Sequence, residues 1–270
     1  MKILVIGGGN MGITYARSFL HSHIVTKEKM VILEKSLKKA EELKKSDVGT
    51  VYGEPGDYIK TCDLIILAVK PQDVHILFET IAPFIDHQQV IMSIMAGVKM
   101  ATISDALGTF KIIRAMPNLP AQIGTGMTVF TSSEEVTRIE LVMVQNLLNS
   151  TGKAIYVGEE DAIDAATAIS GSGPAYVFYF MQSLIESAKD MGFSQAQAEL
   201  LTYQTFKGAV DLFNKYDFTC EEWISKVSSK GGTTEAAFNK FNENHLKKDF
   251  QSGVNMALTR AKELSLKRDS

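Results

Sequence analysis

The sequence predicts an α/β fold: an N-terminal, doubly wound, mostly parallel sheet, then an all-helical C-terminal part. Three observations predict it. Short apolar runs alternate with helical patterns up to about residue 157, the mark of βαβ units. A glycine cluster, Gly7, Gly8, Gly9 and Gly12, follows the first apolar run directly. All six prolines lie at or before Pro174, and of the 20 glycines only Gly192, Gly208, Gly231, Gly232 and Gly253 come after it. Chain breakers mark turns, so the first part has many short elements and the last part a few long ones.

The elements follow in order. Residues 2–6 (KILVI) read as a buried strand, with a helix over about residues 10–22. Residues 30–33 (MVIL) form a second strand. Ser36 then caps a helix rich in Lys and Glu. Residues 64–69 (LIILAV) are strongly apolar and too short for an amphipathic helix. Pro71 opens the next helix, in the first turn, where a missing N–H has no consequence. Residues 89–94, 111–115, 127–131 and 153–157 supply further strands. From about Glu160 the texture changes. Tyr176, Val177, Phe180, Met181, Leu184, Ile185 and Ala188 recur at helical spacing, and two later stretches do the same. The expected division is residues 1–159 and residues 160–270, with residues 267–270 fraying.

Composition narrows the partners. A length of 270 residues, 45% hydrophobic and 22% charged, supports a sizeable core. A formal net charge of −3 argues against nucleic acid, because phosphate neutralisation needs a basic surface. Two cysteines, Cys62 and Cys220, make no disulfide framework and point to a reducing cytoplasm; both are expected to be core filler. The N-terminal run carries one lysine and stops at the glycines, which reads as neither a signal peptide nor a membrane span. His21, His23, His75, His87 and His245 show no metal-ligand spacing, so no metal is expected. Trp223 is expected to pack rather than to stack on a ligand.

The glycine cluster carries the first chemistry. Gly7, Gly9 and Gly12 have the spacing G-x-G-x-x-G between a strand and a helix. Gly7 permits a tight turn, Gly9 lets backbone approach a pyrophosphate, and Gly12 lets helix and strand pack closely. The helix N-terminus offers unpaired N–H groups to the anion. Ile6, Gly7, Gly8, Gly9, Asn10, Met11 and Gly12 are thus the candidate cofactor-binding stretch of a Rossmann-type domain. Glu34 ends the second strand, where a carboxylate accepts from the adenosine ribose and favours NADH. Lys35, Ser36, Lys38 and Lys39 follow at once and could grip the 2′-phosphate of NADPH. Both cofactors stay open on these residues. Ala68, Val69, Lys70 and Pro71 lie at the carboxyl end of a buried strand, the edge where ligands bind.

Two further stretches stand out. Ser170, Gly171, Ser172, Gly173 and Pro174 introduce the long helix at Tyr176. Close backbone packing or an anion held on exposed N–H groups would each suit them. Val227, Ser228, Ser229, Lys230, Gly231, Gly232, Thr233 and Thr234 precede a helical stretch. Two glycines beside hydroxyls and a lysine resemble a nest for a carboxylate or phosphate.

Together these pieces resemble the pyrroline-5-carboxylate reductase family. The matching segments are residues 7–12, residues 68–71, the run Arg114, Ala115, Met116, Pro117, Asn118, residues 170–176 and residues 227–234, in family order. The resemblance implies a Rossmann domain and a helical domain that interlocks with a second subunit, giving a homodimer and allowing a larger ring of dimers. It implies hydride transfer from NADPH or NADH to C5 of 1-pyrroline-5-carboxylate, forming L-proline. Ser229, Gly231, Gly232, Thr233 and Thr234 inherit the substrate carboxylate, and Thr234 meets the ring nitrogen as the catalytic residue. Glu160 falls where the family carries a residue near the substrate. Met95, Ala96, Gly97 and Asn118 join the cofactor-facing set. Glu34 is unusual among members that use NADPH, and Phe238 stands where the family signature has a smaller aliphatic residue.

Two other readings compete. A 3-hydroxyacid dehydrogenase-type reductase needs a catalytic lysine on the helix after the glycine stretch, yet after Gly173 the first lysine is Lys189. A nucleotide-binding sensor or scaffold without turnover would not need residues 229–234.

Overall fold

The computed structural model describes residues 1–266; residues 267–270, expected to fray, lie outside the described residues. The chain divides into two compact units. One is Met1–Ser172 with the chain from Ala257 onward; the other is Gly173–Met256.

The first unit is built on a sheet. Its strands are β1 Ile3–Ile6, β2 Met30–Leu33, β3 Thr50–Tyr52, β4 Leu64–Leu67, β5 Val90–Ser93, β6 Ile112–Met116, β7 Gly126–Ser132 and β8 Gly152–Tyr156. They lie in the order β3-β2-β1-β4-β5-β6-β7-β8. Every pair is parallel except β6 with β7. Each expected strand is present. β3 is an addition: three residues, of which only Val51 is buried, leave no pattern to read.

This unit holds α1 Asn10–His21, α2 Leu37–Lys45, α3 Val74–Ile81, α4 Met100–Leu107, α5 Arg138–Asn149 and α6 Asp161–Ala166, with the helical stretch from Ala257 onward. β1, β2, β4 and β5 are buried along their whole length, as strands covered on both faces must be. Alternate side chains explain why. Ile3, Val5, Ile32 and Ile66 pack with Tyr15 and Phe19 of α1, Leu43 of α2 and Val144 and Leu147 of α5. Leu4, Ile6, Leu33, Ile65 and Leu67 pack with Phe78 and Ile81 of α3 and Ile103 of α4. This is the doubly wound, layered arrangement predicted, and each fully buried aliphatic side chain contributes about 1.5–3 kcal/mol of transfer free energy. Helix starts are specified locally. Ser36 accepts a long bond from the Lys39 N–H (3.5 Å), and Thr137 with Glu140 forms a capping box at α5.

α6 does not lead into a loop. The chain passes through a π turn, Thr167–Gly171, straight to the next helix, α7 Gly173–Asp190. The helix entry expected at residues 170–174 is present at Gly173, and of its two readings Gly171 meets the close-packing one. The Ser172 N–H donates to the Thr167 carbonyl at 2.9 Å, and a Cβ on Gly171 would come 3.0 Å from Met116 Cε. Close packing accounts for Gly171, whereas a Cβ on Gly173 would meet nothing within 4 Å among the described residues.

The second unit holds α7, then α8 Gln195–Lys215, α9 Cys220–Val227, α10 Thr233–Glu243 and the start of α11 Leu246–Leu266. Capping boxes open α8 (Ser194, Gln197) and α9 (Thr219, Glu222). α7 packs on α8, and Phe250 of α11 meets Tyr176 edge-on and lies tilted against Phe180. Trp223 packs at right angles to Phe218 and near Tyr216, as expected of a packing residue. α7 buries no residue within one chain, and Phe178, Tyr179, Leu200, Tyr203 and Val210 are exposed. Apolar faces of that extent mark an interaction surface. Cys62 is buried, and burial pushes its thiol up, in line with core filler. Cys220 is exposed at the start of α9, so its reading as core filler is corrected. Among the described residues, no helix is long and apolar enough to cross a membrane.

Candidate functional site

The sheet order reverses between β2-β1 and β4-β5, so a crevice opens at the carboxyl ends of β1 and β4. The glycine stretch sits there. The Gly7 N–H donates to the Leu33 carbonyl (2.9 Å) and the Ala68 N–H to the Ile6 carbonyl (2.8 Å), tying the loop to both neighbours. Gly7 has φ +105°, and a Cβ on it would lie 2.7 Å from the Ala68 oxygen. A Cβ on Gly12 would fall well inside contact with the Gly7 oxygen, and 3.1 Å from Val5 Cγ1. Gly9 differs: among the described residues nothing lies within 4 Å of its missing side chain. No side chain caps α1, so the N–H groups of its first turn face open space. This fits a pyrophosphate. A cavity of about 940 Å³ continues from Gly8, Gly9 and Asn10 along Arg17 and His21 of α1 to Gln122.

Glu34 closes the other side of the loop. It is 7% exposed. Its Oε2 accepts from the Gly8 N–H and its Oε1 from the Ser36 N–H, each at 2.8 Å. The exposed Lys35 pairs with Asp73 Oδ1 at 2.9 Å, in the 3-10 turn that Pro71 opens. Lys70 is exposed just before that turn, while Ala68 and Val69 are half-buried beside Gly7. Met95 and Gly97 are buried; a Cβ on Gly97 would press on Leu264 of α11, so of these three only Ala96 reaches the surface.

Asn118 and Glu160 do structural work. Asn118 Oδ1 accepts from the Met127 N–H (2.9 Å), and its Nδ2 donates to the Ser170 carbonyl (3.1 Å) at the π turn. Asn118→Ala is expected to cost about 1–3 kcal/mol, since both partners lose their bond; an unchanged urea midpoint would show these bonds to be dispensable. Glu160 Oε1 accepts from the Met100 N–H at the start of α4 (2.8 Å) and from Arg114 Nη1 (3.1 Å).

Arg114 was missed as an organising residue. It lies in the apolar strand β6, fully buried, and its Nη2 donates to Asp164 Oδ1 at 2.7 Å. Ser265 Oγ of α11 also reaches Asp164, at 3.4 Å. The signal was available: an arginine inside a buried apolar strand demands a carboxylate partner.

In the second unit, the loop before α10 forms a compact nest. Gly231 has φ +71°, and its N–H donates to Glu235 Oε2 at 2.7 Å. The Gly232 N–H donates to the Ser229 carbonyl at 2.9 Å, and Gly232 leads α10 with no side-chain cap. Ser229 and Thr233 are exposed and Thr234 is half-buried. The first-turn N–H groups and three hydroxyls thus surround one helix end, an arrangement that suits an anion. Among the described residues, no cluster of His, Cys, Asp and Glu could hold a metal ion.

The chain is similar to known proteins. A family model described as pyrroline-5-carboxylate reductase dimerisation matches residues 160–264, and one described as NADP oxidoreductase, coenzyme F420-dependent, matches residues 2–97. The pyrroline-5-carboxylate reductase of Aquifex aeolicus is 32% identical over 98% of this chain and 97% of its own length. That of Pseudomonas aeruginosa is 34% identical over 77% of this chain and 76% of its own. Two solved structures cover 98% of this chain and 98% of their own: Plasmodium falciparum pyrroline carboxylate reductase with NADP bound (27% identity, TM-score 0.89) and the Coxiella burnetii pyrroline-5-carboxylate reductase (30%, TM-score 0.88). The motifs, the two-part fold and these matches agree: the chain belongs to the pyrroline-5-carboxylate reductase family.

Proposed function

We propose that this protein reduces 1-pyrroline-5-carboxylate to L-proline with NADH or NADPH. The observation that carries the reading is the pairing, in one chain of this family, of an open dinucleotide loop at α1 with an uncapped anion nest at α10. Residues 6–12 and Glu34 hold the dinucleotide, with Ala68, Val69, Lys70, Pro71 and Ala96 along the same edge. Bound there, the reduced nicotinamide supplies the hydride that C5 accepts. The Ser229 and Thr233 hydroxyls and the N–H groups of Gly231, Gly232 and Thr233 receive the substrate carboxylate. The Gly231 N–H must first release Glu235, and the Gly232 N–H must release the Ser229 carbonyl. Thr234 Oγ1 meets the ring nitrogen, whose protonated form is the better hydride acceptor. Positioning of two ligands then does most of the catalysis, so no strongly titrating acid is required.

Residues 1–159 serve as the nucleotide-binding part and residues 160–270 as the substrate-binding and dimerisation part. The exposed apolar faces of α7 and α8 are covered by a second copy, and dimers assemble into a ring in the cytoplasm. Sedimentation of a stable monomer would contradict the assembly.

A spectrophotometric assay with 1-pyrroline-5-carboxylate and each nucleotide tests the reaction. Binding without imine reduction would favour a sensor or scaffold. Thr234→Ala is expected to lower kcat/KM roughly 10–100-fold, the loss of one hydrogen bond near a charged centre, about 1.5–3 kcal/mol. Unchanged kinetics would remove Thr234 from the mechanism.

A further inference from the structure

We infer that Glu34 makes this enzyme prefer NADH, by filling with its own carboxylate the backbone nest that a 2′-phosphate would need. The inference rests on the dinucleotide reading above and deepens it.

At the end of β2 the backbone offers the Gly8 N–H from the glycine loop and the Ser36 N–H before α2. Both are consumed by Glu34, one on each carboxylate oxygen, at 2.8 Å. The side chain is 7% exposed, so it is held in place and not a surface carboxylate that swings aside. A ribose with free hydroxyls is a donor. It can add to the lone pairs that remain on the two oxygens. A 2′-phosphate is an acceptor with a charge near −2. It meets a like charge and finds both N–H groups taken.

The lysines do not reverse this. Lys35 Nζ is directed to Asp73 Oδ1, although such an exposed pair is weak and does not decide the matter alone. Lys38 and Lys39 are exposed on α2. Their attraction is a screened surface effect, whereas the carboxylate lies at the ribose position. The lysines matter once the carboxylate is removed, because the emptied nest then has cations beside it.

Calorimetric titration of the whole protein with NADH and with NADPH, without substrate, tests the inference. The wild type is expected to bind NADH at least about tenfold more tightly. Glu34→Gln keeps the shape and removes the charge, and is expected to shrink that ratio. Glu34→Ser also vacates both N–H groups, and is expected to tighten NADPH about tenfold or more and to weaken NADH. Equal wild-type affinities, a ratio unmoved by Glu34→Gln, or failure to bind either dinucleotide would each overturn the inference. Tight NADH binding with no imine reduction would instead overturn the proposed reaction and leave the preference standing.

Discussion

Gly12→Ala is expected to raise the dinucleotide Kd by at least about 100-fold and to destabilise the fold by about 1–3 kcal/mol, the range for overpacking. A single methyl group does this because of what it meets. Its closest neighbour is the backbone oxygen of Gly7, which cannot rotate away as a side-chain tip would. Val5 Cγ1 at 3.1 Å and Ala68 Cβ at 3.2 Å close the remaining directions. Gly7 cannot retreat either. It is fixed at φ +105° between the Leu33 carbonyl it donates to and the Ala68 carbonyl behind it. The strain is relieved only by lifting α1 from β1. That uncovers Tyr15 and Phe19 and moves the N–H groups that face the pyrophosphate.

Gly9→Ala separates the two effects. Its φ of −76° suits any residue, and its Cβ points into open space. Stability should therefore stay within about 0.5 kcal/mol, while the added methyl occupies the room a pyrophosphate needs. Denaturant unfolding and calorimetric titration of both variants decide the point. Wild-type stability and affinity in Gly12→Ala would refute the packing argument. Wild-type affinity in Gly9→Ala would show that the dinucleotide does not approach there.

These two glycines also show what a sequence carries. G-x-G-x-x-G encodes a local geometry, so the turn, the open α1 and the crevice were legible from spacing. Strand positions were legible for the same reason: a fully apolar run such as residues 64–67 fits only a strand buried on both faces. β3 was not, because three residues with one buried side chain have no period. The π turn was not, because small residues read alike in a loop and in a tight helical crossing. The standing of Glu34 against its lysines needed tertiary structure. Which of the charges in residues 34–39 faces the Gly8 N–H depends on how β1 and β2 pair. The role of Asn118 was hidden likewise, since its partners Met127 and Ser170 lie on different elements.

Arg114→Met is expected to destabilise the protein by about 3–5 kcal/mol, the range for breaking a buried ion pair on one side. Volume and apolar stem are largely kept, so the loss reports charge. Asp164, 2% exposed, would lose the Arg114 guanidinium and keep a long contact from Ser265 Oγ. Glu160, at the α6 start, would still cap α4 through the Met100 N–H. Loosening there would reach α11, because Ser265 and Leu264 rest on Asp164 and Gly97. The arginine itself is incompletely satisfied: its buried Nε has no hydrogen-bond partner among the described residues. An apolar replacement of the pair should therefore recover much of the loss. Arg114→Met combined with Asp164→Leu is expected to cost at least about 2 kcal/mol less than the sum of the single variants. Urea unfolding of the four proteins measures that coupling. Additive losses would mean that Arg114 and Asp164 act independently, and that the strand arginine is held in place by something other than Asp164.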